Sequence, residues 1–254
     1  NRQGQVVGVG ATTFFGSSRL PLIWNGTVVS QLPLPAGETI GDAYAINDSG
    51  MVAGSVDGGS LQQAAYWSGG VPQVITATTT SGEFMVNGYG INEAGFVVGS
   101  GWDPNNAART VGLIYNTTLG TMESIGSLTA LGHNSAIAFD ISDGGYVTGS
   151  SSLNGGVNSR AFVWTSSGGM IEVPLPSGAS SAIGRAVNSD GWVVGEGSGT
   201  FSRPFLFDGS TTVLLQDRLI NAPGWDISTN TSASAQGISD DGMIVGTGVV
   251  SGVV

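Results

Sequence analysis

The chain has 254 residues, 18 acidic side chains against seven basic ones, and a net charge of −11; all seven basic residues are Arg and none is Lys. Such a surface repels a phosphate backbone instead of neutralising it, which argues against a nucleic-acid partner. There is no Cys and only one His, so disulfide and thiolate chemistry are excluded, and no run of 18 apolar residues offers a membrane-spanning helix.

A short phrase recurs six times. It reads Asn1-Arg-Gln-Gly4-Gln-Val-Val-Gly8, then Ile46-Asn-Asp-Ser-Gly50-Met-Val-Ala-Gly54, then Ile91-Asn-Glu-Ala-Gly95-Phe-Val-Val-Gly99. It returns as Ile141-Ser-Asp-Gly-Gly145-Tyr-Val-Thr-Gly149, Val187-Asn-Ser-Asp-Gly191-Trp-Val-Val-Gly195 and Ile238-Ser-Asp-Asp-Gly242-Met-Ile-Val-Gly246. Between successive first glycines the steps are 46, 45, 50, 46 and 51 residues. In each phrase an apolar run enters a polar Asn-Asp step and leaves through Gly into a second apolar run. Asn and Asp bond their own backbone in turns and Gly supplies positive φ, so the phrase predicts a tight hairpin.

A looser stretch follows each hairpin, then a third apolar run ending on an aromatic: Leu22-Ile-Trp24, Ala65-Tyr-Trp67, Leu113-Ile-Tyr115, Phe162-Val-Trp164 and Phe205-Leu-Phe207. Each meets a second turn, such as Asn25-Gly or Asp208-Gly, and a fourth strand, such as Val28-Val-Ser-Gln or Met170-Ile-Glu-Val. Four short strands per repeat of roughly 45–50 residues predict an all-β chain, a β-propeller of four-stranded blades. The 43 Gly fit turns at this frequency, and no segment shows helical periodicity over three turns. We read residues 1–254 as a single propeller domain that starts and ends mid-blade. The phase of the two ends favours six blades with the sixth incomplete; five blades with a spare hairpin is the alternative. Because Asn1 opens inside the repeat phrase, the chain reads as a mature or truncated product.

The phrase Ala43-Tyr-Ala-Ile-Asn47-Asp-Ser-Gly50-Met-Val-Ala-Gly54-Ser, followed by Ala64-Ala-Tyr-Trp67, resembles the bacterial extracellular HAF repeat, and Arg160-Ala-Phe-Val-Trp164 is similar to the second half of that pattern. The resemblance runs over essentially the whole chain. It departs at Ser142 and Ser239 (for Asn), at Val187 (for Ile) and at Pro204-Phe-Leu-Phe. It implies an exported bacterial protein, secreted or at the cell surface, and brings no catalytic motif. A lysine-free, weakly charged, Ser/Thr/Gly-rich composition points the same way.

Candidate functional residues are those outside the repeat pattern. Trp24, Trp67 and Trp164 fill a repeated slot and read as core, and Trp192 stands where Met51, Phe96, Tyr146 and Met243 stand. Trp102 and Trp225 have no counterparts. They lie in the irregular connections Gly99–Arg109 and Leu215–Ser234, beside Asp103, Asn105 and Arg109 in the first and Asp226 in the second. An indole next to directional polar groups suits recognition of a glycan or a protein; the alternative is a rim plug. Asp140 occupies a slot held elsewhere by Ala45, Gly90, Ala186 and Gly237, and Arg185 one held by Tyr44 and Tyr89; both read as channel-lining.

His133 alone cannot complete a transition-metal site and reads as a solvated loop residue. Acids in the turns (Asp48, Glu93, Asp143, Asp190, Asp240) read as turn caps in preference to calcium ligands. No metal or other cofactor is implied. Two functions stay open. One is a non-catalytic module that binds glycan, extracellular matrix or a protein subunit through a variable-loop face. The other is a glycoside hydrolase or lyase using axial carboxylates, for which Glu38, Asp42, Asp140 and Asp226 are the available acids.

Overall fold

The computed structural model describes residues 1–11, 19–59, 61–222, 224–227 and 231–250. The chain divides into two compact units, residues 1–124 and 125–254. Unit 1 holds a three-stranded sheet, β1 (Gln5–Ala11), β2 (Arg19–Asn25) and β3 (Val28–Gln31). Two four-stranded antiparallel sheets follow, β4 (Ile40–Ile46), β5 (Val52–Asp57), β6 (Gln63–Ser68) and β7 (Val71–Val74), then β8 (Phe84–Ile91), β9 (Phe96–Asp103), β10 (Asn106–Asn116) and β11 (Thr121–Ser124). Unit 2 repeats the plan with β12 (Ser135–Ile141), β13 (Val147–Ser152), β14 (Arg160–Thr165) and β15 (Gly169–Glu172). Its second complete sheet is β16 (Ser181–Val187), β17 (Val193–Ser198), β18 (Ser202–Phe207) and β19 (Thr212–Leu214). After β20 (Trp225–Asp226) comes a two-stranded sheet, β21 (Ser234–Ile238) and β22 (Ile244–Thr247), and β23 (Val249–Val250) pairs with β20. Helix among the described residues is limited to three 3₁₀ turns, and none is long and apolar enough to cross a membrane.

The recurrent phrase is the hairpin between the first and second strand of each sheet, and its two glycines serve different ends. The first of each pair has positive φ, from +75° at Gly4 to +84° at Gly242, as the turn requires. The second does not. The first strands from β4 on carry an extra residue, with register slips between Ala43 and Ala45, Gly88 and Gly90, Ala138 and Asp140, Gly184 and Ala186, and Ala235 and Gly237; β8 has a second slip between Met85 and Asn87. This bulge presses the first strand's backbone against its neighbour. A Cβ at Gly54 would collide with the carbonyl oxygen of Asp42, and one at Gly195 with that of Ile183. In β1, which has no first-strand partner, Gly8 faces only the Trp24 ring.

The Asn of the phrase does two jobs. Its Oδ1 accepts the N–H four residues on: Gln5 at 2.9 Å for Asn1, Met51 at 2.8 Å for Asn47, Phe96 at 3.0 Å for Asn92 and Trp192 at 2.9 Å for Asn188. Its Nδ2 donates to the same position one repeat later: Asn1 to the Asn47 carbonyl (3.0 Å), Asn47 to that of Asn92 (3.0 Å), and Asn188 to that of Ser239 (3.4 Å). Turn acids add to the tie. Asp48 accepts the Arg2 N–H at 2.6 Å, Glu93 accepts that of Asp48, and Asp240 that of Ser189 at 2.9 Å. These carboxylates cap the preceding hairpin, and among the described residues no group of three or more His, Asp or Glu is placed to hold a metal ion.

Successive sheets within a unit pack face to face over apolar cores. In unit 1, Leu32, Val52, Val56 and Trp67 form one cluster and Ile75, Met85, Val97, Val111 and Leu113 the next. In unit 2 the main cluster is Ala161, Val163, Val173, Val193, Phe205 and Phe207. The third-strand aromatics divide. Trp67, Tyr115 and Phe207 are buried, whereas Trp24 and Trp164 are half-buried. Trp67 also donates its indole N–H to the Pro33 carbonyl at 2.7 Å.

Two stability predictions follow from this packing. Asn47→Ala removes both the cap and the tie and should cost about 2 kcal/mol, whereas Asn47→Ser keeps a capping oxygen and should cost about half as much. Trp67→Ala should cost about 3–5 kcal/mol by opening a core cavity. Urea unfolding midpoints of the three variants check the order.

Candidate functional site

In unit 1 the second and third strands of the last sheet extend beyond their counterparts as a β9–β10 ribbon. Trp102 pairs with Phe84 on β8 and Thr110 on β10, just before a bulge between Asn106 and Thr110. Its side chain is half exposed, at 51%. The polar residues beside it are turned inward. Asp103 is buried, and its Oδ1 accepts the Asn105 N–H at 2.8 Å, closing the turn. Its Oδ2 accepts from Arg109 Nη1 at 3.0 Å, and the same nitrogen lies 3.3 Å from Glu83 Oε1. The Thr79 hydroxyl donates to the other Glu83 oxygen. The Asn105 N–H first, and Arg109 second, hold the Asp103 carboxyl below the usual carboxylate range. Arg109 therefore binds two nearly buried carboxylates and locks the ribbon beneath an exposed indole. Asn105 itself is exposed.

Unit 2 holds the other predicted residues. Trp225 is 48% exposed and pairs with Val250, while the half-buried Asp226 pairs with Val249. Trp225 walls an apolar groove of about 390 Å³, shared with Leu215, Leu219, Ile227, Ile244 and Val245. The sequence reading missed this groove. Its origin is the last sheet, where β22 pairs on one side only among the described residues. Val245 is 65% exposed, although Ala53, Val98 and Val194, in the same slot of complete sheets, are 0% exposed; Ala53 and Val194 pack against apolar residues of the sheet that follows. Ile220, at 82%, adds to the exposed apolar surface of the preceding connection.

The two residues read as channel-lining are engaged within unit 2. Asp140 Oδ2 accepts the Val187 N–H at 2.9 Å, tying β12 to β16 of the next sheet. Arg185 is the bulged residue of β16; it pairs with Glu196, and its guanidinium lies 5.4 Å from the Phe139 ring centre. His133, expected in solvent, is buried at 5% exposure with Nδ1 3.2 Å from the Ser151 hydroxyl. The short 3₁₀ turn at Thr129–Leu131 folds the loop back, so the ring becomes packing. Burial, and next the charge of Arg160, push its pKa down.

No family model matches the chain, and no curated protein does. Among solved structures the chain is similar to TolB from Acinetobacter baumannii. The TM-score is 0.55 at 12% identity, over 91% of this chain and 57% of that one. At this identity the likeness concerns the fold: an all-β chain of successive four-stranded antiparallel sheets. The chain spans little more than half the length of that protein.

Asp140 gives a pH test. Burial pushes its pKa up to about 6, against the two backbone N–H groups that favour the ionised form. A folded-state pKa above the unfolded one means the carboxyl is best accommodated when protonated. Its contribution is complete below about pH 4 and is lost as pH rises through about 6, a change of about 3 kcal/mol at most. Asp140→Asn keeps an acceptor for Val187 without the charge. It should raise the melting temperature relative to the parent at pH 7 and leave it unchanged at pH 4, as thermal unfolding at the two pH values will measure.

Proposed function

We propose that the chain is a non-catalytic binding module built as a β-propeller, with each four-stranded sheet a blade. The likeness to TolB, a protein with a β-propeller domain, supports this architecture. The hairpin phrase in six copies supports six blades, the last represented among the described residues by β21 and β22. The resemblance to HAF repeats and the lysine-free composition support a bacterial protein that is secreted or displayed at the cell surface.

The partner we infer is a protein, engaged through exposed apolar anchors. One observation carries this reading. Trp102 and Trp225, the two tryptophans outside the repeat pattern, are each about half exposed (51% and 48%), while Trp67 in the repeat slot is 0% exposed. The polar neighbours that would orient a sugar at Trp102 are already engaged, since Asp103 and Arg109 bind each other. The groove beside Trp225 is walled mainly by Leu, Ile and Val side chains, with Arg218, Ser234 and Thr247 the polar residues of its lining. Rigid indoles bury large apolar area at small entropic cost and dominate protein interfaces where they occur. The nearest acids, Glu83 and Asp103, share one Arg109 nitrogen, an arrangement that favours structure over acid–base chemistry.

Trp102→Ala and Trp225→Ala, singly and together, should weaken capture of a cell-envelope protein, each by about 2 kcal/mol or more, with the melting temperature unchanged. Pull-down from envelope extracts with quantitative mass spectrometry, alongside a glycan array and thermal unfolding, provides the measurement. Capture that is the same with all three variants, or loss confined to the glycan array, refutes a protein partner at these residues.

A further inference from the structure

Unit 1 departs from the repeat plan at one set of positions on its first strands. The residue preceding the small one that faces the second-strand glycine is Ile137 on β12, Ile183 on β16 and Ser234 on β21, but the larger and more polar Asp42 on β4 and Asn87 on β8. The bulged residue is Tyr in both unit 1 strands, Tyr44 and Tyr89. Substituting polar groups for isoleucine at such sites costs stability unless they are fully bonded. Positions that break a fold's own local rule without gain in packing are where function is grafted.

The departures form one connected group. Asp42 is 3% exposed, and its Oδ2 accepts the Tyr44 hydroxyl (3.3 Å) and the Ser55 hydroxyl (3.5 Å) and lies 3.3 Å from Arg19 Nη2. Gln62, from the connection between β5 and β6, donates to Ser55 Oγ at 3.1 Å and to Asn87 Oδ1 at 2.6 Å. The Tyr44 and Tyr89 rings sit 5.2 Å apart, tilted at 53°, with Tyr44 42% exposed. Among the described residues, no partner meets Asp42 Oδ1 or Gln62 Oε1. Among the described residues a nearly buried carboxylate thus has one oxygen engaged three times and the other open, beside a second open acceptor and the exposed ring of Tyr44, which leans on the half-buried Tyr89.

We propose that this group is a binding site for a neutral sugar residue. Sugar hydroxyls both donate and accept, so one ring can donate to Asp42 Oδ1 and Gln62 Oε1 and accept from the half-exposed Arg19 guanidinium. Its C–H face is apolar enough to lie on the Tyr44 ring. The ligand is uncharged because Arg19 already balances Asp42; an amine would meet the guanidinium and an acid the carboxylate. The site uses neither of the exposed tryptophans, Trp102 and Trp225.

The experiment is saturation-transfer NMR of the intact chain with a panel of neutral monosaccharides: glucose, galactose, mannose and N-acetylglucosamine. At least one should bind, and Tyr44→Ala and Gln62→Ala should each weaken it at least about tenfold with the fold intact by circular dichroism. Asp42→Asn should abolish it. Gln62 is a surface-connection residue, so its variant keeps the test open if the Asp42 variant unfolds. Trp102→Ala with Trp225→Ala should leave the sugar affinity unchanged. No binding across the panel, binding that survives both Tyr44→Ala and Gln62→Ala, or binding lost only with the tryptophan pair overturns the site.

Discussion

A single side-chain amide holds the repeats in step. The turn Asn caps its own hairpin through Oδ1 and reaches the next repeat through Nδ2, so that closing a turn also positions its neighbour. A main-chain ladder cannot do this, because successive sheets pack by their faces and share no strand edge. Apolar packing alone would let one sheet slide over the next. The amide bond, reinforced by the turn carboxylates, fixes where each sheet stops. Ser142 and Ser239 keep the capping oxygen, each accepting the N–H four residues on.

The bulge on each first strand is the second constraint, and it joins fold to site. It needs a glycine opposite, where the strands approach most closely, and it releases one residue per sheet from the alternation of the ladder. That residue differs between the units: Tyr44 and Tyr89 in unit 1, Phe139, Arg185 and Gln236 in unit 2. In unit 1 this freedom places two phenols side by side above a buried carboxylate. In unit 2 it places a guanidinium over a phenyl ring. The framework is constant and the chemistry is local.

Much of the framework was legible in the chain. The first glycine of each phrase announces its positive φ because only glycine persists there while its neighbours vary, and the strand runs stand between unmistakable turns. The bulge was not legible. One extra residue leaves no mark in a seven-residue alternation, so the reason for the second glycine stayed hidden. Partners distant in sequence were equally hidden. Arg109 meets Glu83 across 26 residues and Asp140 meets Val187 across 47, distances at which spacing carries no information. The same blindness explains why Asp42 was only one acid among four, and why His133 was expected in water: both are set by what the fold brings against them. Trp102 and Trp225 were singled out because each breaks a repeat, a signal that survives without coordinates.

The amide tie has a direction. Asn1 gives its N–H group forward to Asn47 and Asn47 gives forward to Asn92. The Asn47 repeat therefore has one incoming and one outgoing bond, identical in kind at both ends. Excising or duplicating a whole repeat between two such turns leaves no donor stranded and no acceptor empty.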